Sequence, residues 1–131
     1  MNDSINKRKA QHIEIALNQK VTGDNITTGF ENYKFVHNAL PEIDFDEIDL
    51  STDFLGKRCK APFLVSSMTG GAELAETINR NIAEAAEAKG WAIGLGSTRA
   101  LIENKEFRSS FQLRKYAPTI PIIANLGAVQ L

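Results

Sequence analysis

Three apolar runs in this chain each end in small polar residues of the kind that hold ligands. The first passes through Phe63-Leu64-Val65 and ends in Ser67-Met68-Thr69-Gly70-Gly71. The second ends in Gly96-Ser97-Thr98-Arg99, and the third in Asn125-Leu126-Gly127. Hydroxyls and an amide can hydrogen-bond a planar cofactor. Glycines let backbone approach it closely, and a guanidinium can grip a phosphate or carboxylate through paired bonds. Near the N-terminus, Arg8 and His12 are four residues apart, with Lys9 between them. That spacing makes them neighbours on a helix surface, as either a basic solvent face or an anion-binding arm. No strand end sets a nucleophile beside a base, and no metal-ligand cluster stands out. The residue types suit holding a cofactor better than covalent chemistry.

Such ends need strands behind them. Apolar runs begin at Phe63, Trp91 and Pro121 and alternate with helical patterns. That order is β-α-β-α-β, an α/β class with parallel strands. Strands are predicted over 63–67, 91–95 and 121–125, and helices over 72–89 and 103–116. On the first helix Leu74, Ile78 and Ile82 recur every fourth residue, with Ala75, Ala85 and Ala86 on the same side, giving one buried stripe. Gly90 suits the position just past its end. On the second, Phe107 and Phe111 are four apart, and Pro118 ends it. In α/β sheets and barrels ligands bind at the carboxyl ends of the strands. Three polar ends in register are far harder to obtain by accident than one.

The first sixty residues read differently. A helix is predicted over 3–19, capped by Asp3 or Ser4, with Ile13, Ala16 and Leu17 on one face. Residues 21–32 are rich in Gly, Thr and Asn and read as loop. Phe30, Tyr33, Phe35 and Val36 suggest a short anchored segment. In the acidic stretch 43–53 the carboxylates interleave with Ile43, Phe45, Ile48 and Leu50. That favours an exposed edge strand or turn over a metal site. Phe54-Leu55-Gly56-Lys57 reads as a hairpin turn.

Composition excludes several classes. The net charge of −1 gives no global field for nucleic acid or an anionic membrane. No apolar run approaches the length of a membrane span. The polar N-terminus is expected to carry no secretory signal, and the single Cys59 permits no internal disulfide. Both fit a cytoplasmic protein. With 131 residues the chain can build one domain with a core.

Taken in order, Arg8-Lys9-x-x-His12, Thr27-Thr28-Gly29, Ala61-Pro62-Phe63-Leu64 with Met68-Thr69-Gly70-Gly71, Gly96-Ser97-x-Arg99 and Ala124-Asn125-Leu126-Gly127 resemble the amino-terminal part of type 2 isopentenyl-diphosphate Delta-isomerase. Each motif alone is weak; the ordered set is specific and covers nearly the whole chain. The resemblance implies an FMN-dependent (β/α)8 TIM barrel. Residues 1–60 would be an N-terminal helical arm and pre-barrel segment, and 61–131 the first three β/α units of an incomplete barrel. It implies an isomerase of isoprenoid biosynthesis that interconverts isopentenyl and dimethylallyl diphosphate by a 1,3-allylic proton shift. Reduced FMN would be the acid–base group, kept reduced by NADPH, with Mg²⁺ also required.

The same resemblance assigns residues. Ser67, Met68, Thr69, Ser97 and Asn125 would contact FMN. Arg8, Lys9, Ser97, Thr98 and Arg99 would bind the diphosphate substrate, with His12 nearby. The Mg²⁺ carboxylate and the flavin-phosphate site would fall beyond residue 131. A full barrel takes about 250 residues, so the chain is expected to be a fragment, inactive alone. The full-length form is expected to be a homo-oligomer without nucleic-acid or membrane partners. Two other readings stand beside this one: a different FMN-dependent TIM-barrel oxidoreductase, such as an α-hydroxy-acid oxidase relative, and a non-catalytic α/β half-domain that works by association. A diphosphate-binding arm at Arg8-Lys9-x-x-His12 has no role in the first of these.

Overall fold

The computed structural model describes residues 2–67, 69–70 and 73–128, with backbone alone at 2–6, 9 and 73. Met68, Gly71 and Ala72 lie outside the described residues. The chain opens with helix α1, Asn2–Asn18, close to the predicted bounds. A long irregular stretch follows, with 3-10 turns at Phe30–Asn32 and Phe45–Glu47. The anchored segment expected there is not found. Phe30, Tyr33, Phe35 and Val36 are all exposed, Phe30 at 77%. Phe30 and Tyr33 belong to a 3-10 turn whose hydrogen bonds run to near neighbours, and Phe35 and Val36 follow in irregular chain. The acidic stretch forms a turn, with Asp44 and Glu47 making a capping box.

The first strands form a hairpin. Strands β1, Thr52–Phe54, and β2, Lys57–Cys59, pair antiparallel. Their two-residue loop has positive φ at both Leu55 (51°) and Gly56 (72°), the dihedrals of a type I′ turn that matches strand twist. Arg58 on β2 meets Asp49 and Asp53, each at 3.3 Å, so part of the acidic run is neutralised.

The α/β unit then follows. Strands β3, Leu64–Val65, β4, Ala92–Ser97, and β5, Ile122–Asn125, form a parallel sheet in the order β3-β4-β5. The predicted alternation and direction hold. β3 is shorter than expected, and Phe63 and Leu64 are exposed where a buried strand was expected. It pairs with β4 on one side only, and beyond Val65 the chain leaves the ladder to cross over β4.

Helix α2, Glu73–Lys89, packs on one sheet face. It closes with Gly90 at φ 66°, while Gly90 N–H donates to Glu87 O and Trp91 N–H to Ala86 O. That pair of bonds is the Schellman stop the glycine predicts. The buried stripe is the predicted one in part: Ile82 packs against the core and Ile78 is half-buried. Ala75, Asn79, Ala83 and Ala86 are buried, whereas Leu74 and Ala85 are exposed. Small side chains let the helix lie close to the sheet, and the bulkier Leu74 turns outward, into an open cleft shared with Leu17 of α1.

The second helix expected over 103–116 is broken. A short helix α3, Arg99–Glu103, precedes 3-10 turns at Lys105–Phe111 and Leu113–Lys115. Asn104 is extended (φ −145°), and its side-chain oxygen caps Glu106 N–H at 2.9 Å. Such side chains compete with the helix for backbone partners. The tighter turns deliver Phe111, Leu113, Ala117 and Ile120 to a core with Ala83, Ala86, Ile93 and Leu95. No helix of the described residues is long and apolar enough to cross a membrane.

Candidate functional site at the strand ends

Side chains alternate along a strand. On β4, Ile93 and Leu95 enter the helix-side core, so Gly94 and Gly96 face the other way and leave a furrow. The loop after β3 fills it. A side chain on Gly94 would meet Ser67 Oγ at 3.0 Å, and one on Gly96 would overlap the Thr69 carbonyl. A side chain on Gly70 would meet the Phe111 ring at 2.5 Å. These close approaches explain the glycines better than turn geometry does, since none of the three has positive φ.

The next two ends are tied to each other. Ser97 stands opposite Asn125 in the ladder. Thr98 donates its N–H and its hydroxyl to Asn125 O, both at 2.8 Å. Arg99 N–H reaches Ser97 Oγ at 3.4 Å, and Arg99 Nε pairs with Glu103 at 2.7 Å. Neighbouring strands lie about 4.8 Å apart, so the three ends make a polar rim wide enough for a fused planar ring.

The predicted residues thus divide. The structure brings Ser67, Thr69, Ser97, Thr98, Arg99 and Asn125 to one edge of the sheet. Among the described residues, the side chains of Ser67 and Asn125 make no hydrogen bond and are exposed. Thr69 and Thr98 commit their hydroxyls within the protein, Thr69 to buried Asn79 and Thr98 to Asn125 O. Thr69 is buried with its carbonyl also bonded by Asn79, and Thr98 is a brace between β4 and β5. Arg99 is half-exposed but tethered by Glu103. On α1, Arg8 and His12 are exposed, with no ion pair among the described residues. The side chain of Lys9, like Met68, lies outside what is described. Sequence reasoning missed Asn79, whose only signal is an amide on the alanine side of an amphipathic helix.

The arrangement can bind a flat, hydrogen-bonding cofactor. It supplies amide and hydroxyl groups along one edge, with glycine-lined backbone behind them. No group of acidic, His or Cys side chains able to hold a metal ion occurs among the described residues.

A parallel β-α-β-α-β unit with a polar rim at its carboxyl ends is the framework of a cofactor-binding α/β enzyme. Residues 1–113 match the FMN-dependent dehydrogenase family, and the chain belongs to that family. It is also 58% identical over its whole length to a protein of Oceanobacillus iheyensis named isopentenyl-diphosphate delta-isomerase, covering 38% of that protein. Proteins of the same name from Pelodictyon phaeoclathratiforme and Rickettsia prowazekii are each 52% identical, over 99% and 95% of this chain and 37% and 36% of theirs. The chain therefore spans well under half the length of these relatives.

Proposed function

We propose that the rim formed by β3, β4 and β5 is one wall of a flavin site in a (β/α)8 isopentenyl-diphosphate isomerase. One observation carries the reading. Three strand ends stand side by side with Ser67, Ser97 and Asn125 at the edge, the side where α/β enzymes bind ligands. The family match and the relatives' names support it. The donor set fits FMN: the Asn125 amide and the Ser67 and Ser97 hydroxyls can pair with the edge of a heterocycle, while buried Thr69 and Gly70 back the rim from within.

When bound and reduced, FMN would supply the acid–base group for a 1,3-proton shift between the two diphosphate isomers. NADPH would serve to keep it reduced, and Mg²⁺ would assist the diphosphate. The chain's own residues bind and orient. Ser67, Ser97 and Asn125 fix the ring. Arg8 and Lys9 of α1, with Arg99 at the end of β4, would supply the cations a diphosphate needs: Arg a planar fork and Lys a point charge. Thr98 keeps the β4 and β5 ends in step.

The test is a chimera in which residues 1–131 replace the matching stretch of the Oceanobacillus iheyensis relative. It should purify with bound flavin and isomerise isopentenyl diphosphate. Arg8→Ala should weaken diphosphate binding and spare flavin. A colourless, inactive chimera, or an Arg8→Ala change confined to flavin, overturns the proposal.

A further inference from the structure

One buried polar side chain has no part in the wall just described. Asn79 lies in the middle of α2, 6% exposed, on a face otherwise made of Ala75, Ala83 and Ala86. Burying an amide is costly unless it is fully bonded, and alanine there would simply continue the stripe. Asn79 is bonded, and to two separate loops. Its Nδ2 donates to Thr69 O at 3.3 Å and to Ser110 O at 2.9 Å. Its Oδ1 accepts the Thr69 hydroxyl proton. Thr69 belongs to the loop after β3, and Ser110 to the 3-10 turn that follows β4. The Thr69 carbonyl abuts Gly96, and Gly70 abuts Phe111 one residue past Ser110. The amide therefore holds the chain that lies in the β4 furrow from behind.

We propose that Asn79 is a positioning residue for the flavin. Without touching the cofactor, it sets where the Thr69-Gly70 main chain stands and, through the contact at Gly96, how Ser97 is presented. The inference rests on the strand-end flavin reading. It assigns to α2, which contributes no group to the site, the task of fixing the distance between the β3 and β4 ends.

The experiment uses the same full-length chimera, so the two ideas separate. The unsubstituted chimera must bind FMN; if it does not, the flavin reading fails and this inference with it. Asn79→Ala is then expected to weaken FMN binding about tenfold, on the order of one lost hydrogen bond to the cofactor, and to shift the visible flavin spectrum. Asn79→Asp keeps the shape and the acceptor for Thr69 but loses both amide donors; it should weaken FMN as well, and it carries the comparison where Asn79→Ala does not fold. Glu87→Ala, at the opposite end of the sheet, is the control for general destabilisation. It should lower the thermal midpoint while leaving the FMN Kd and spectrum unchanged. Asn79 variants that bind FMN as tightly as the parent, or a Glu87→Ala protein with an equal loss of affinity, overturn the inference.

Discussion

The two ends of the parallel sheet differ in the polar side chains they leave unbonded. At the amino end they are bonded inward. Glu87 of α2 accepts from Thr119 N–H at 3.1 Å, from its hydroxyl at 2.5 Å and from Ile120 N–H at 3.3 Å. One Arg114 nitrogen, Nη1, donates to the carbonyls of Ala117, Pro118 and Ile120. Lys57 Nζ reaches Thr119 O at 2.6 Å, and Lys60 N–H bonds Gly90 O. Phe63 and Trp91 pack with centroids 5.0 Å apart. At the carboxyl end the furrow is made of glycines, and Ser67 and Asn125 face outward. Ser67 and Asn125 keep side chains free for a ligand, while Thr98 and Asn79 brace the same end through their own bonds. That division is the expected one for α/β barrels.

The largest effect should come where the two loops interlock. Gly96→Ala puts a methyl against the Thr69 carbonyl, a backbone atom that cannot rotate aside. It should cost about 3 kcal/mol in denaturant unfolding and abolish flavin retention. A Gly96→Ala protein that keeps its flavin would break the comparison.

Next is the amino end. Glu87→Ala should cost about 1 kcal/mol by removing the acceptor for the Thr119 and Ile120 N–H groups, with flavin affinity unchanged. Desolvation raises the Glu87 carboxyl, but hydrogen bonds from the Thr119 hydroxyl and the Thr119 and Ile120 N–H groups outweigh it and hold it below its ordinary value of 4.5. A lowered folded value means stability that is present above about 4.5 and is lost as pH falls through the folded value. The parent should therefore lose stability on acidification more steeply than Glu87→Ala, as thermal melts across pH 3–6 would show, with the pH range set around that ordinary value.

Asn125→Ala should do the reverse of Glu87→Ala. Removing an exposed amide should barely move the melt but weaken FMN by about tenfold, the loss of one hydrogen bond. The smallest effect belongs to Arg58→Ala. Its bonds to Asp49 and Asp53 are exposed, so their loss should cost under about 0.5 kcal/mol and vanish in high salt.

Much of this division was legible in the sequence. Apolar runs at even spacing, each followed by glycines and hydroxyls, are local signals, and the parallel order of β3, β4 and β5 follows from them. The Gly90 stop and the Leu55-Gly56 hairpin were legible for the same reason. What escaped depends on partners far along the chain. On α2 the burial of Ala75 and Ala86 was legible, but Leu74 and Ala85 were read with them and turned outward, while Asn79 and Ala83 were not foreseen. The break at Asn104 turned on one side chain capping its own neighbour. Thr69 and Thr98 had the right types in the right place, but their hydroxyls were already engaged by Asn79 and Asn125. The exposed aromatic residues of 30–36 show the converse limit: apolar composition does not anchor a segment unless a surface receives it.

Hydrogen exchange of the flavin-binding chimera, with and without FMN, would test the central claim most directly. The account predicts slower exchange on FMN binding in peptides covering 66–70, 96–99 and 125–128, and no change in those covering 57–60 and 117–121. Protection confined to the amino-end peptides, or absent from all three strand ends, would contradict it.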